Sequence, residues 1–251
     1  MCLAYKMLYL WKARNLSGGV TCPLKGYVGM NGGEEIVMEP GEKPSYSSIS
    51  EELFQKGLKM WRDHRPEEAY EHFGHCLSID PENAPAYSAR AGLSHWLGSY
   101  SEALDDISKA IALRPDHAGY LHNRAVILTS LRREAEAIRD YESTLSMEPC
   151  SAGTLNNLAW LLSTASDPGM RDCRRAISCA IRAVNSCRSG SWLDTLATAY
   201  AECGEFDRAI EIEMEAYAMS KPPNQAFRKR IELYRRRIKY TTWLEKNHDS
   251  G

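Results

Sequence analysis

An all-α fold, an α–α superhelix of about five helix–turn–helix repeats plus a C-terminal capping helix, is what this sequence predicts. Three series of residues predict it. Pro81, Pro115 and Pro149 stand 34 residues apart, as do Ala69, Ala103 and Ala137, and as do Gly57, Ala91, Ala125 and Ala159. Three independent markers sharing one period describe a unit repeated in tandem.

Each marker has a mechanical reason. Two helices of a pair approach closely where they cross only if one side presents Gly or Ala, because anything larger overpacks the contact. Phe73, Ile107 and Tyr141, four residues after each alanine of the second series, supply the bulk beside that crossing. Proline closes the second helix of a unit, since it cannot continue the hydrogen-bond ladder and biases its predecessor away from helix. The units run 50–83, 84–117 and 118–151. A fourth, 152–189, carries an insertion, because Ala176 follows Ala137 by 39 residues; the extra length lies in STASDPGMRD, at the turn between its two helices. Lengthening a surface turn costs about 1 kcal/mol or less, so the repeat is expected to survive. In the fifth unit, 190–221, Ala197, Tyr200, Gly204, Phe206 and Ala209 keep the register.

After Pro222 and Pro223, the segment 223–240 places Phe227, Ile231, Tyr234 and Ile238 on one helical face. This is the expected capping helix, its apolar stripe docked on unit five and its cations turned outward, and 241–251 is expected to be a flexible tail. At the other end, turn formers at 17–19, 29–33 and 39–44 set residues 1–46 apart as a poorly ordered leader, with a short helix around Leu3, Met7 and Leu10 conceivable and a true start at Met30 or Met38 equally so. Regular structure is expected from Ser48, an N-cap with Glu51 three residues on.

Composition narrows the function. The 251 residues are 43% apolar, enough for a substantial core, and 31 Lys and Arg against 33 Asp and Glu leave a net charge of −2, so no chain-wide field points to nucleic acid or an acidic membrane. Eight scattered cysteines without a C-x-x-C pair fit a reducing compartment, and the start lacks the pattern of a secretory signal. The expected location is cytoplasmic.

The period and its small residues resemble the tetratricopeptide repeat, most closely in AYSARAGLSHWLGSYSEALDDISKAIALRPDHA, and the resemblance covers residues 48 to about 220. It implies a right-handed solenoid whose inner surface, built by the first helix of each unit, holds a peptide or protein segment. The groove positions so implied include His95, Trp96, His122, Asn123, Asn156, Asn157, Trp160, Asp194, Thr195 and Thr198, with Trp61 and Glu202 also on that face. Asparagine amides can pair with an extended backbone and tryptophan supplies apolar area at low entropic cost, so the lining suits a peptide of modest charge. The same residues read equally as packing and turn groups. One subclass of the family grips a chaperone's terminal carboxylate with Lys, Asn and Arg. Asn123 matches the Asn, but Ser88, Gly92, Gly153 and Asn157 stand where cations would be needed, so an adaptor of that type is not expected. The last two units are similar to a variant common in bacterial, planctomycete-type proteins of the family, implying a bacterial source.

Other candidates are weaker. His72, His75 and Cys76 share a helical stretch but are too few for a tetrahedral site, and Cys173, Cys179 and Cys187 lack ligand spacing and read as small apolar residues. The basic helix bearing Arg228, Lys229, Arg230, Arg235, Arg236 and Arg237 suits a solvated cap, and offers an alternative function as adaptor to RNA or anionic membrane. No metalloprotease, serine-hydrolase, phosphate-loop or dinucleotide motif is present. A non-enzymatic scaffold without metal or cofactor is therefore expected, its partner an unknown protein or peptide.

Overall fold

The computed structural model describes residues 46–248; the leader expected over 1–46 lies, but for Tyr46, outside the described residues. Among the described residues there are twelve α-helices and no strand. They form two compact units, 46–131 and 132–248. The first contains α1 (Tyr46–Arg62), α2 (Pro66–Ile79), α3 (Ala84–Leu97), α4 (Tyr100–Leu113) and α5 (Ala118–Ser130). The second contains α6 (Glu134–Met147), α7 (Ala152–Thr164), α8 (Cys173–Ser186), α9 (Gly190–Glu202), α10 (Phe206–Met219), α11 (Gln225–Arg235) and α12 (Tyr240–His248).

Helix ends follow local chemistry. Second helices α2, α4 and α6 stop at Ile79, Leu113 and Met147, each two residues before its periodic proline. Asn83 caps α3 by accepting the Ala86 N–H at 3.0 Å, and Asp172 caps α8 by accepting that of Arg175 at 3.0 Å. The start of α1 differs from expectation: it begins at Tyr46, so Ser48 lies within the helix rather than capping it, as propensity fixes helix ends only to a residue or two. Four of the five turns from a first to a second helix pass through a left-handed residue, His64 (φ 61°), Gly98 (φ 86°), Arg132 (φ 61°) and Gly204 (φ 84°), the first three again 34 apart.

In the first unit α1 pairs with α2 and α3 with α4, while α2 packs on α3 and α5 on both α3 and α4. The periodic small residues sit at the crossings. A Cβ on Gly57 would lie 2.6 Å from Cε1 of Phe73, closer than atoms can approach, so that the Phe73 ring occupies the space the glycine leaves. Ala69, Ala91, Ala103, Phe73 and Ile107 are completely buried. In the second unit α7 pairs with α8 and α9 with α10, and Ala137, Ala159, Ala176, Ala197 and Ala209 are likewise inaccessible.

The inserted segment is held rather than loose. It forms a single 3₁₀ turn at Pro168–Met170. The Ser166 N–H and Oγ–H both donate to the Glu134 carboxylate at the start of α6, at 2.7 and 3.0 Å, and the Asp172 N–H returns to Leu162 O at 2.9 Å.

Two further expectations are overturned. Cys173 is not an isolated apolar residue but forms a disulfide with Cys203, their Cα atoms 5.4 Å apart, joining the start of α8 to the end of α9; residues 30 apart in sequence meet because the helix pair folds back on itself. The expected flexible tail from residue 241 is instead α12 as far as His248, because Tyr240, Trp243 and Leu244 have an apolar surface to cover.

Ala103→Leu is expected to cost about 1–3 kcal/mol by overpacking the α3–α4 crossing, read as a lowered denaturant midpoint; an unchanged midpoint would refute this register.

Candidate functional site

First helices build a candidate face in each unit, from α1, α3 and α5 in one and from α7 and α9 in the other. In residues 46–131 its side chains are partly used to join neighbouring first helices. His95 Nε2 lies 2.9 Å from Ser130 Oγ, and Asn123 Nδ2 donates to Ser88 Oγ at 3.2 Å. Trp61 covers Gly92, where a Cβ would stand 3.0 Å from the Trp61 ring, so this tryptophan serves packing. Trp96 is different, with 38% of its surface exposed. His122 is buried, and burial pushes its pKa down to about 4; His95 is lowered for the same reason.

In residues 132–248 the corresponding face is covered by the chain itself. Asp194, Thr195 and Thr198 are buried. Above them lies α11: Thr198 Oγ1 is 3.1 Å from the Tyr234 hydroxyl, and the Arg230 guanidinium stands 2.5 Å from Asp194 and 3.2 Å from Glu213. Asn157 and Trp160 are half-buried, and Asn156 is buried with its Oδ1 accepting no hydrogen bond from the described residues. Over Trp160 lies α12, through Tyr240 with ring centroids 5.9 Å apart.

Arg230 therefore belongs to the core and not to a solvated basic surface, because two buried carboxylates require a cation between them. Burial disfavours its charge, but Asp194 and Glu213 outweigh that and raise its pKa above the ordinary arginine value. Glu213 stands four residues after Ala209, where the first three units carry Phe73, Ile107 and Tyr141 and the fourth carries Ala180. Burial, with the Glu213 charge beside it, likewise holds the Tyr234 hydroxyl well above its usual range. Among the remaining cations of the helix, Arg237 pairs with Asp207 at 2.9 Å, Arg228 with Glu232 at 3.4 Å, and Lys229 lies 3.9 Å from the Trp243 ring centroid; Arg235 and Arg236 are exposed. The sequence did not reveal this triad, α12 or the disulfide. A carboxylate, Glu213, at a position that is apolar in the other units, and the helical spacing of Tyr240, Trp243 and Leu244 are the signals the sequence carries.

Elsewhere, a depression of about 640 Å³ lies beside Met170–Arg175, but Arg171 is engaged with Ala165 O at 2.7 Å and Glu245 at 3.0 Å, and Arg175 with Glu142 at 2.7 Å. Among the described residues no three His, Cys, Asp or Glu side chains converge as metal ligands, and burial raises the Cys76 thiol to about 11, away from thiolate chemistry. No helix of the described residues is long and apolar enough to cross a membrane.

The buried groups should show themselves in stability. With His122 lowered to about 4, the native state binds fewer protons than the unfolded chain below the ordinary histidine pKa near 6.5, so this stabilisation is complete above about pH 6.5 and is lost as pH falls toward 4. The expected loss is about 3 kcal/mol, read from urea midpoints across that range and absent from the His122→Gln protein. Arg230→Met strands two buried carboxylates and is expected to cost about 3–5 kcal/mol in chemical denaturation at pH 7; a cost below about 1 kcal/mol would show the triad to be unimportant.

Similarity to known proteins lies in the fold. No protein-family model matches the chain, and no curated protein does. Solved structures do. A TPR protein of Thermus thermophilus, TTC0263, is 16% identical with a TM-score of 0.58, covering 74% of this chain and 98% of its own. MamA from Desulfovibrio magneticus RS-1 is 15% identical with a TM-score of 0.61, covering 71% and 98%. A tetratricopeptide repeat protein from Parabacteroides merdae ATCC 43184 is 17% identical with a TM-score of 0.62, covering 75% and 73%. The 34-residue period, the helix packing and these likenesses lead to one conclusion: the chain has the tetratricopeptide-repeat fold.

Proposed function

We propose that the protein is a non-catalytic scaffold that holds a segment of another polypeptide against its first-helix face in residues 46–131. The observation that carries this reading is Trp96, a large ring left 38% exposed on a helix whose adjacent residue, His95, is tied to the next first helix. An exposed ring on a braced helix offers contact area at little entropic cost, which is how binding surfaces gain affinity. The half-buried Asn123 amide adds a donor and an acceptor for a peptide backbone. Neither residue is charged, so the segment they suit is one of modest charge.

A chaperone-type terminal carboxylate is not such a segment. Ser88 accepts the Asn123 amide, and Gly92 lies beneath the Trp61 ring, so the positions that would need cations are filled by other groups. The alternative of a basic helix docking on RNA or lipid has less support, since Arg230 is inside the protein and Arg228 and Arg237 are ion-paired.

Joint replacement Trp96→Ala and Asn123→Ala is expected to abolish affinity capture of partners from a bacterial lysate while leaving the circular dichroism spectrum unchanged. Capture that survives the double replacement would move recognition to another surface.

A further inference from the structure

We propose that the first-helix face of residues 132–248 is a recognition site for an amphipathic helix of a partner protein, and that α12 is its built-in competitor. This rests on the reading that first-helix faces bind protein segments and names the chemistry of one such segment.

The place of a next first helix is already taken by α11, which buries Phe227, Ile231, Leu233 and Tyr234 and closes the core. The chain then turns through Arg237 at φ 56° and returns as α12 across the face that the repeat resemblance assigns to ligands. Trp160 and Glu202, two groove positions from successive first helices, both receive it.

The contacts are those of a ligand in a built site. Tyr240 lies against Trp160 on one side and under Arg230 on the other, the guanidinium carbon 5.1 Å from its ring centroid. The buried Glu202 carboxylate takes both polar hydrogens of Thr241, the backbone N–H at 3.0 Å and the hydroxyl at 2.7 Å. It thereby holds the first turn of a helix at the end where the unpaired N–H groups and the positive dipole lie. The Lys229 ammonium lies over the Trp243 ring, and Glu245 meets Arg171 at 3.0 Å. The site thus selects an aromatic residue, a hydroxyl beside it, a second aromatic three residues after the first, and an acid two beyond that. A covalent bond ties together the backbone beside both polar anchors: Glu202 adjoins Cys203, Arg171 lies two residues before Cys173, and those cysteines are bonded.

The occupant is separable. Nine residues is below the length at which an isolated helix persists in water, so α12 is helical only while docked. Glu202 also makes departure selective: it is buried, and a competitor must return the donors that Thr241 supplies. The short tether keeps α12 at high effective concentration, which a partner must overcome.

The test uses the full chain and a fluorophore-labelled peptide spanning Lys239–His248 as probe. Anisotropy titrations are expected to show at least ten-fold tighter binding to Thr241→Val, Trp243→Ala protein than to the parent, and adding Glu202→Gln should remove the gain. Equal titrations for parent and loosened protein, or a gain that persists with Glu202→Gln, overturn the proposal. Hydrogen exchange on the unaltered chain provides a measurement free of folding artefacts: amides of 240–248 should exchange faster than those of 225–235. Equal protection would make α12 an integral part of the fold and overturn the proposal. So would a concentration-dependent dimer formed by exchanged α12, which would assign the site to a second copy. Loss of probe binding with capture still dependent on Trp96 and Asn123 discards only this inference, whereas probe binding with capture indifferent to those residues discards only the reading it rests on.

Discussion

Close approach between the two helices of a pair is the constraint from which the rest of this architecture follows. Gly57 shows it most directly, since a single added carbon would overlap the Phe73 ring. The same demand recurs as Ala91, Ala103 and Ala137, all without solvent contact. Once a pair is pressed together in this way, the outer surfaces of its helices are set at fixed spacing, and the next pair finds a groove shaped to receive it. The reward is a core made of thin layers, each drawing on residues near in sequence, so that stability accumulates from neighbour to neighbour.

That scheme changes toward the C-terminus. Glu213 replaces the apolar filler of the earlier units, and its charge is answered by Arg230 from α11 together with Asp194. A buried ionic cluster is a costly substitute for a ring or an aliphatic chain, because its members lose their hydration and recover it only in good geometry. What it adds is discrimination. An apolar stripe can slide by a turn with modest loss, whereas Arg230 meets both carboxylates in one position only, so the register of α11 is set by charge where the register of α4 is set by shape.

The difference also explains what could be read from the sequence. The repeating crossings were legible because they depend on size at fixed intervals, and Gly57, Ala103 and Pro115 report size and backbone geometry directly. The insertion was legible as a break in that count at Ala176. The covering of Asp194 and Thr198 was not, because the period assigns a residue to a face without saying what lies over that face; Tyr234 and Arg230 come from a helix whose cations looked like a solvent-facing surface. α12 is illegible for a related reason: Tyr240, Trp243 and Leu244 form too short a stripe to declare a helix without Trp160 and Glu202, which receive it. For the groove residues, type alone does not separate Trp61, which packs on Gly92, from Trp96, which is more than a third exposed.

The bond between Cys173 and Cys203 turns α8, the following turn and α9 into a closed covalent ring. A protease cutting once anywhere between those two cysteines would open the backbone without separating the pieces. Such a nicked chain would migrate whole on a denaturing gel and fall into two fragments only after reductant is added. The stretch carrying Glu202, the carboxylate that holds Thr241, can thus be cleaved and still remain one molecule.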